Sequence, residues 1–266
     1  MAGAAEAFWK VPGPDRIVKD AGGVLARGNR RPHREAGCQV RLRQPRTTVS
    51  RTEGAVKDWL AWHAAYDDPS SPLSVRLRLV CEHLSRALDE APPGPVRLVS
   101  LCAGQGRDVL GVLPGHPRRQ DVAALLVEAD PRLVAQARHR AAEAELARVE
   151  VREADAGRLA SFADALPADV LLLCGIFGNV STSDIQRTVE AAPAMCAPGA
   201  IVLWTRHRRS PDLTPQIREW FLASGFDEVA FDAPDTDSLT SVGVHRLATE
   251  PEAIPPSEPL FTFAGA

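Results

Sequence analysis

Four short stretches of this 266-residue chain put chemically capable residues at the ends of apolar runs. In the first, Ser100-Leu101-Cys102-Ala103-Gly104-Gln105-Gly106, a buried-strand pattern runs into small residues. Ala103, Gly104 and Gly106 carry little or no side chain, so a ligand can press against the backbone there. The amides beyond them open a helix N-terminus, which favours a polar or anionic group. Glu128 closes a second run, Leu125-Leu126-Val127-Glu128-Ala129-Asp130-Pro131, 24 residues after Gly104. A carboxylate at that offset can accept hydrogen bonds from vicinal ribose hydroxyls. Asp155, in Glu153-Ala154-Asp155-Ala156, can accept from an adenine amino group, and Cys174-Gly175 closes a fourth run. Taken singly, each is also a tight turn or a solvated turn residue. Together, at successive strand ends, they point to a nucleotide-type cofactor crevice.

Such a crevice needs a sheet to hold it. Apolar segments over Val96–Leu101, Val122–Glu128, Val149–Glu153, Val170–Cys174 and Ala200–Thr205 read as strands, with helical patterns between them. One such helix runs through Leu133, Val134, Ala137 and Ala141, another from about Ser183 to Met195. Thr214–Ser224 is amphipathic with Ile217, Trp220 and Phe221 inward, and Glu228–Phe231 and Ser241–Leu247 read as two closing strands. This alternation predicts a doubly wound, mostly parallel seven-stranded α/β sheet with an antiparallel edge. Ahead of it, Trp59, Leu60, Trp62, His63 and Tyr66 fall on a helical period that Asp67-Asp68-Pro69 ends. Ser71 and Pro72 then open a second helix, and Ala91–Pro95 is a stiff linker. The proline-rich tail over 250–266 ends in Leu260-Phe261-Thr262-Phe263, which reads as folding back onto the body.

Composition bounds the rest. Residues 1–54 carry eleven Lys/Arg and five Asp/Glu, a charge near +6, while the remainder is near −9. This basic segment shows no sustained apolar period and reads as disordered. It is a nucleic-acid tether, a functionless tail, or sequence upstream of the true start. No apolar run is long enough to span a bilayer. The five cysteines show neither paired nor metal-type spacing, and Cys81, Cys102 and Cys174 suit reduced core thiols, so a cytoplasmic protein is expected.

With these motifs in this order, the chain resembles the class I S-adenosylmethionine-dependent methyltransferases over roughly residues 56–248. Ser100–Gly106 resembles the family's glycine motif, Val127–Pro131 its ribose motif and Glu153–Ala156 its adenine motif; Ala197-Pro198-Gly199-Ala200 resembles its proline-glycine turn. Ser100 replaces the usual acid and Cys102 the first glycine. A nicotinamide enzyme would need a third glycine where Val109 stands. The resemblance implies a Rossmann-like domain over 55–249, with residues 55–91 as a two-helix cover. It also implies S-adenosylmethionine as cofactor, held by Tyr66, Ala103, Gly104, Gln105, Gly106, Glu128, Ala129, Asp155, Ala156 and Cys174.

The acceptor side carries fewer signals. Methyl transfer needs alignment and water exclusion more than a fixed side chain, beyond a base that takes a proton. In Gly175-Ile176-Phe177-Gly178-Asn179-Val180-Ser181, Phe177 is placed to stack on adenine or substrate and Asn179 to orient a polar group. In Trp204-Thr205-Arg206-His207-Arg208-Arg209, His207 is a candidate base and the arginines candidate holders of an anion, or the stretch is a solvated basic loop. His63 is a weaker base candidate; His116 and His139 read as surface, His245 as structural. The Asn/Asp-Pro-Pro-aromatic motif of methyltransferases acting on nucleic-acid bases is missing. The expected acceptor is a small molecule, with nucleic acid reached only through the basic tail. An RNA or protein methyltransferase tethered by that tail and a non-catalytic cofactor-binding regulator are the rival readings.

Overall fold

The computed structural model describes residues 58–234, 239–251 and 259–263. The expectations for residues 1–54, for Cys38 and for most of the 250–266 tail lie outside the described residues. Seven strands form one sheet: β1 (Val96–Leu101), β2 (Val122–Glu128), β3 (Val149–Glu153), β4 (Ala168–Leu173), β5 (Cys196–His207), β6 (Phe226–Asp232) and β7 (Thr240–Leu247). Their spatial order is β3-β2-β1-β4-β5-β7-β6. The first five pair in parallel, and β7 runs antiparallel to both β5 and β6.

The central strands are apolar without interruption because both faces are covered. Leu98 of β1, Leu126 of β2 and Val170 and Leu172 of β4 point to one core. Their neighbours Val99 and Leu101, Leu125 and Val127, and Leu171 and Leu173 point to the other. The first core is closed by α2 (Pro72–Glu90), α3 (Val109–Val112) and α4 (Pro131–Glu143), through residues such as Leu84, Leu88, Val109 and Val134. The second is closed by α5 (Thr182–Met195) and α6 (Thr214–Ala223), through Ile185, Val189, Ile217 and Phe221. In α4 the four residues picked out by their period, Leu133, Val134, Ala137 and Ala141, are the buried ones.

Helix ends follow local chemistry. Ser71 caps α2 through the Ser74 amide at 3.1 Å with Pro72 in the first turn. At the other end of α2, Arg118 donates to the carbonyls of Leu88, Ala91, Pro92 and Gly94 at 2.6–3.0 Å, fixing the linker into β1. The cover ahead of α2 is short: α1 (Trp59–His63), capped by Asp58, then one tight turn over Ala64–Asp67. Neither piece contains a buried residue. A helix this short is not stable alone, so side-chain contacts to the body hold it.

The structure adjusts several expected boundaries. β5 runs on to His207, which makes Arg206 and His207 strand residues rather than loop residues. The helix after the glycine turn, α3, is a single turn. His116 is buried, with its ring 3.3 Å from the Ser85 carbonyl and from Asp89, so it is not a surface residue. Among the described residues no helix is long and apolar enough to cross a membrane.

Candidate functional site

The sheet order reverses between β1 and β4, and open α/β sheets bind ligands outside the carboxyl ends of the strands at that point. A cavity of about 330 Å³ lies there. Its walls come from the ends of β1, β2, β3 and β4, from the cover, and from the C-terminal residues Phe261–Phe263.

The turn after β1 is built by alternate left-handed residues, Cys102 (φ 56°), Gly104 (φ 58°) and Gly106 (φ 64°). Cys102 tolerates this region at a steric cost that glycine avoids. The turn is held from below: Ala103 N donates to Val127 O at 3.0 Å and Gly106 N to Ala103 O at 2.8 Å. The two glycines were expected to face a ligand. Instead a Cβ on Gly104 would come 2.4 Å from His63 Cε1, and one on Gly106 would come 2.7 Å from Leu126 Cδ2. Their bareness admits the cover on one side and the core on the other. Cys102, Ala103, Gln105, Arg107 and Asp108 are the residues of this turn that line the cavity.

Glu128, Ala129, Asp155, Ala156, Cys174 and Tyr66 all line the cavity. Glu128 does more than wait for a ligand. Its Oε2 accepts from Gly104 N at 2.7 Å, and its Oε1 accepts from Ala129 N at 2.8 Å and Asp130 N at 2.9 Å. A carboxylate has about four acceptor positions, so one remains for a hydroxyl. Asp155 Oδ1 accepts from Gly157 N at 2.9 Å. Burial drives the Cys174 thiol above its ordinary range and pushes that of Cys81 up to about 12, so both stay protonated.

Asp108 is a wall residue that the sequence reading left without a role. It caps α3 through Val109 N at 2.7 Å and is nearly buried, which raises its carboxyl pKa despite the Arg76 charge nearby. Its signal was an acid directly before Val109-Leu110, a helix start that reads as ordinary capping. Arg76, Trp59 and Trp62 were likewise hidden, because a packing stripe and a cavity wall have the same helical period. Arg76 donates to the Tyr66 hydroxyl at 3.0 Å, and Arg107 pairs with Asp67 at 2.9 Å while lying 5.3 Å from the Tyr66 ring centre. These contacts, with Arg132 to Asp58 at 3.1 Å, tie the cover to the body.

Asn179 and His207 are not brought to the cavity. Asn179 Nδ2 donates to Gly175 O at 2.7 Å and closes its own turn. His207 packs beside Gly178, and its Nδ1 accepts from Arg209 N at 3.3 Å. Burial, then the charges of Arg206 and Arg209, lower its pKa. Phe177 is fully buried against Trp204 and cannot stack on a ligand. Arg206 is buried against the Phe177 carbonyl, and Arg208 donates to Pro234 O at 2.8 Å, so neither forms an open anion site. His63 is the histidine of the cavity wall among the described residues.

No family model matches the chain, and no curated protein matches it. Solved structures do. An O-methyltransferase family protein from Burkholderia thailandensis aligns at 17% identity with a TM-score of 0.50, over 68% of this chain and 59% of that one. Magnesium protoporphyrin IX methyltransferase from Synechocystis PCC 6803, solved with bound S-adenosylmethionine, aligns at 12% and 0.55, over 70% and 88%. The CurJ carbon methyltransferase aligns at 14% and 0.53, over 71% and 58%. The fold is the one these methyltransferases share. This methyltransferase fold spans less than two thirds of the first and third of those proteins. It puts the cavity at the sheet edge where Glu128 and Asp155 stand.

Proposed function

We propose that the chain is a methyltransferase that binds S-adenosylmethionine in the cavity and methylates a small-molecule acceptor. The carrying observation is the coincidence of the cavity with the ends of β1, β2 and β3, where Ala103, Glu128 and Asp155 all line it. Residues 55–249 would form the catalytic domain, with the remaining acceptor position of Glu128 receiving one ribose hydroxyl and Asp155 the adenine amine. Ala103, Gln105, Ala129, Ala156, Cys174 and Tyr66 supply the remaining contacts, and Gly104 and Gly106 shape the turn.

When bound, the sulfonium supplies an electrophilic methyl carbon. The chain's own residues then have to align the acceptor within about 3–3.5 Å of it and exclude water. Trp62 and Tyr66 close the cavity from the cover side, and His63 is the proposed proton acceptor. His207 and Asn179 are assigned no contact with the cofactor. A small acceptor is favoured because residues beyond 54 carry a net charge near −9, which repels polyanions.

Titration calorimetry of S-adenosylmethionine and S-adenosylhomocysteine tests the reading. Micromolar binding by the intact chain that is lost in Glu128→Ala supports it, and no binding by the folded chain refutes it. The arginine-rich segment 1–54 favours a second reading, an RNA or protein acceptor held by that segment. Loss of polymer methylation on deleting residues 1–54 would select it.

A further inference from the structure

We infer that the C-terminal strap Pro259–Phe263 is the outer wall of the adenine end of the cavity, and that Phe263, backed by the buried Phe261, recognises the adenine base. This rests on the cofactor reading above. The strap is anchored at several points. Leu260 N donates to Gly157 O at 2.8 Å, Thr188 Oγ1 to Leu260 O at 3.3 Å, and Arg187 Nη1 to Pro259 O at 3.0 Å. Leu260 and Phe261 are each only 2% exposed.

Gly157 organises both halves of this wall. Its amide holds Asp155 Oδ1 at 2.9 Å, while a Cβ at the same residue would stand 2.3 Å from Phe261 O. Its φ is not in the left-handed region, so close approach of the strap, not backbone conformation, is what requires glycine. The carboxylate placed for an exocyclic amine and the aromatic strap are therefore set by one residue.

Phe261, Thr262 and Phe263 face the cavity beside Asp155 and Ala156. The Phe261 and Phe263 rings meet edge to face at 5.9 Å, and Phe263 meets Trp59 of α1 edge to face at 5.5 Å. The strap and the cover thus latch to each other across the crevice. A purine is flat and offers a π face, and aromatic side chains bind such faces. The segment lies beyond the stretch that carries the sequence motifs, so the end of the chain completes a site begun by β2 and β3.

The test measures S-adenosylhomocysteine affinity of the full chain by calorimetry. Phe263→Ala and Gly157→Ala are expected to raise Kd about tenfold or more. Phe263→Tyr is expected to keep the original Kd within about twofold, because the ring is retained. The ligand-free melting midpoint of Phe263→Ala is expected to stay within about 3 °C of the parent, which separates lost recognition from lost folding. Unchanged affinity in both Phe263→Ala and Gly157→Ala overturns the strap and leaves the cofactor reading standing. No binding by the intact chain overturns both.

Discussion

Glu128 Oε2 accepts a hydrogen bond from Gly104 N at 2.7 Å, joining the end of β2 to the turn after β1. The residue proposed to hold a ribose therefore also holds the turn that shapes the cavity. Glu128→Ala frees three backbone amides. Bonds to a charged acceptor contribute about 1.5–3 kcal/mol each when buried and less when water can replace them. The expected result is a loss of about 1–3 kcal/mol in urea unfolding together with loss of S-adenosylhomocysteine binding. Glu128→Gln keeps one acceptor oxygen and is expected to fall between the two.

Gly106 combines φ 64° with a Cβ position 2.7 Å from Leu126 Cδ2 and 2.9 Å from Leu110 Cδ1. Gly106→Ala is expected to destabilise by about 1–3 kcal/mol in urea unfolding, from backbone strain and overpacking together. Gly111 lies in α3 with nothing within 4 Å of its would-be Cβ. Gly111→Ala is expected to be neutral or to stabilise by up to about 1 kcal/mol.

Gly104 and the His63 ring compete for one space. Gly104→Ala should push the cover away, and His63→Ala should make room for the new methyl group. The two changes are expected to couple, the double variant being more stable than the sum of the singles by about 0.5–1 kcal/mol. Additive losses in urea unfolding would mean that the cover already moves freely over the turn.

Acid should weaken the fold through His245. It is fully buried, its Nδ1 accepts from the Trp204 indole at 3.1 Å, and burial lowers its pKa to about 4 against the attraction of Glu228. Its Nε2 stands 3.7 Å from Glu228, which is itself paired with Arg218. Below the ordinary histidine pKa of about 6.5 the unfolded chain takes up a proton that the folded chain refuses. Stability from this group is therefore full at pH 7 and falls between about pH 6.5 and 4, by up to about 3 kcal/mol. Melting curves across that range should show it, and His245→Asn should flatten the dependence.

His207 packs beside Gly178 and does not line the cavity. His207→Ala and Asn179→Ala are expected to leave S-adenosylhomocysteine affinity unchanged within about twofold, because neither side chain reaches the walls. Calorimetry on the two variants checks this.

The strand positions, and the strand-end stretches that line the cavity, were legible in the chain. Fully covered strands are apolar throughout, and turns at their ends require small or carboxylate residues whatever lies beyond. The helix stripe of α4 and the cap of α2 were legible for the same local reasons. The place of β7 was not: a terminal hairpin satisfies its own pairing with either strand innermost. Packing decides it, since β7 is buried along nearly its whole length while β6 is mostly half-exposed, and the bare Gly243 of β7 admits the Trp204 ring of β5. Tertiary structure also decided that Gly104 receives His63, that Phe177 belongs to the core, and that Asn179 and His207 stand off the cavity. Above all it brought Phe261 and Phe263 beside Asp155, a neighbourhood more than a hundred residues apart in sequence that no local pattern encodes.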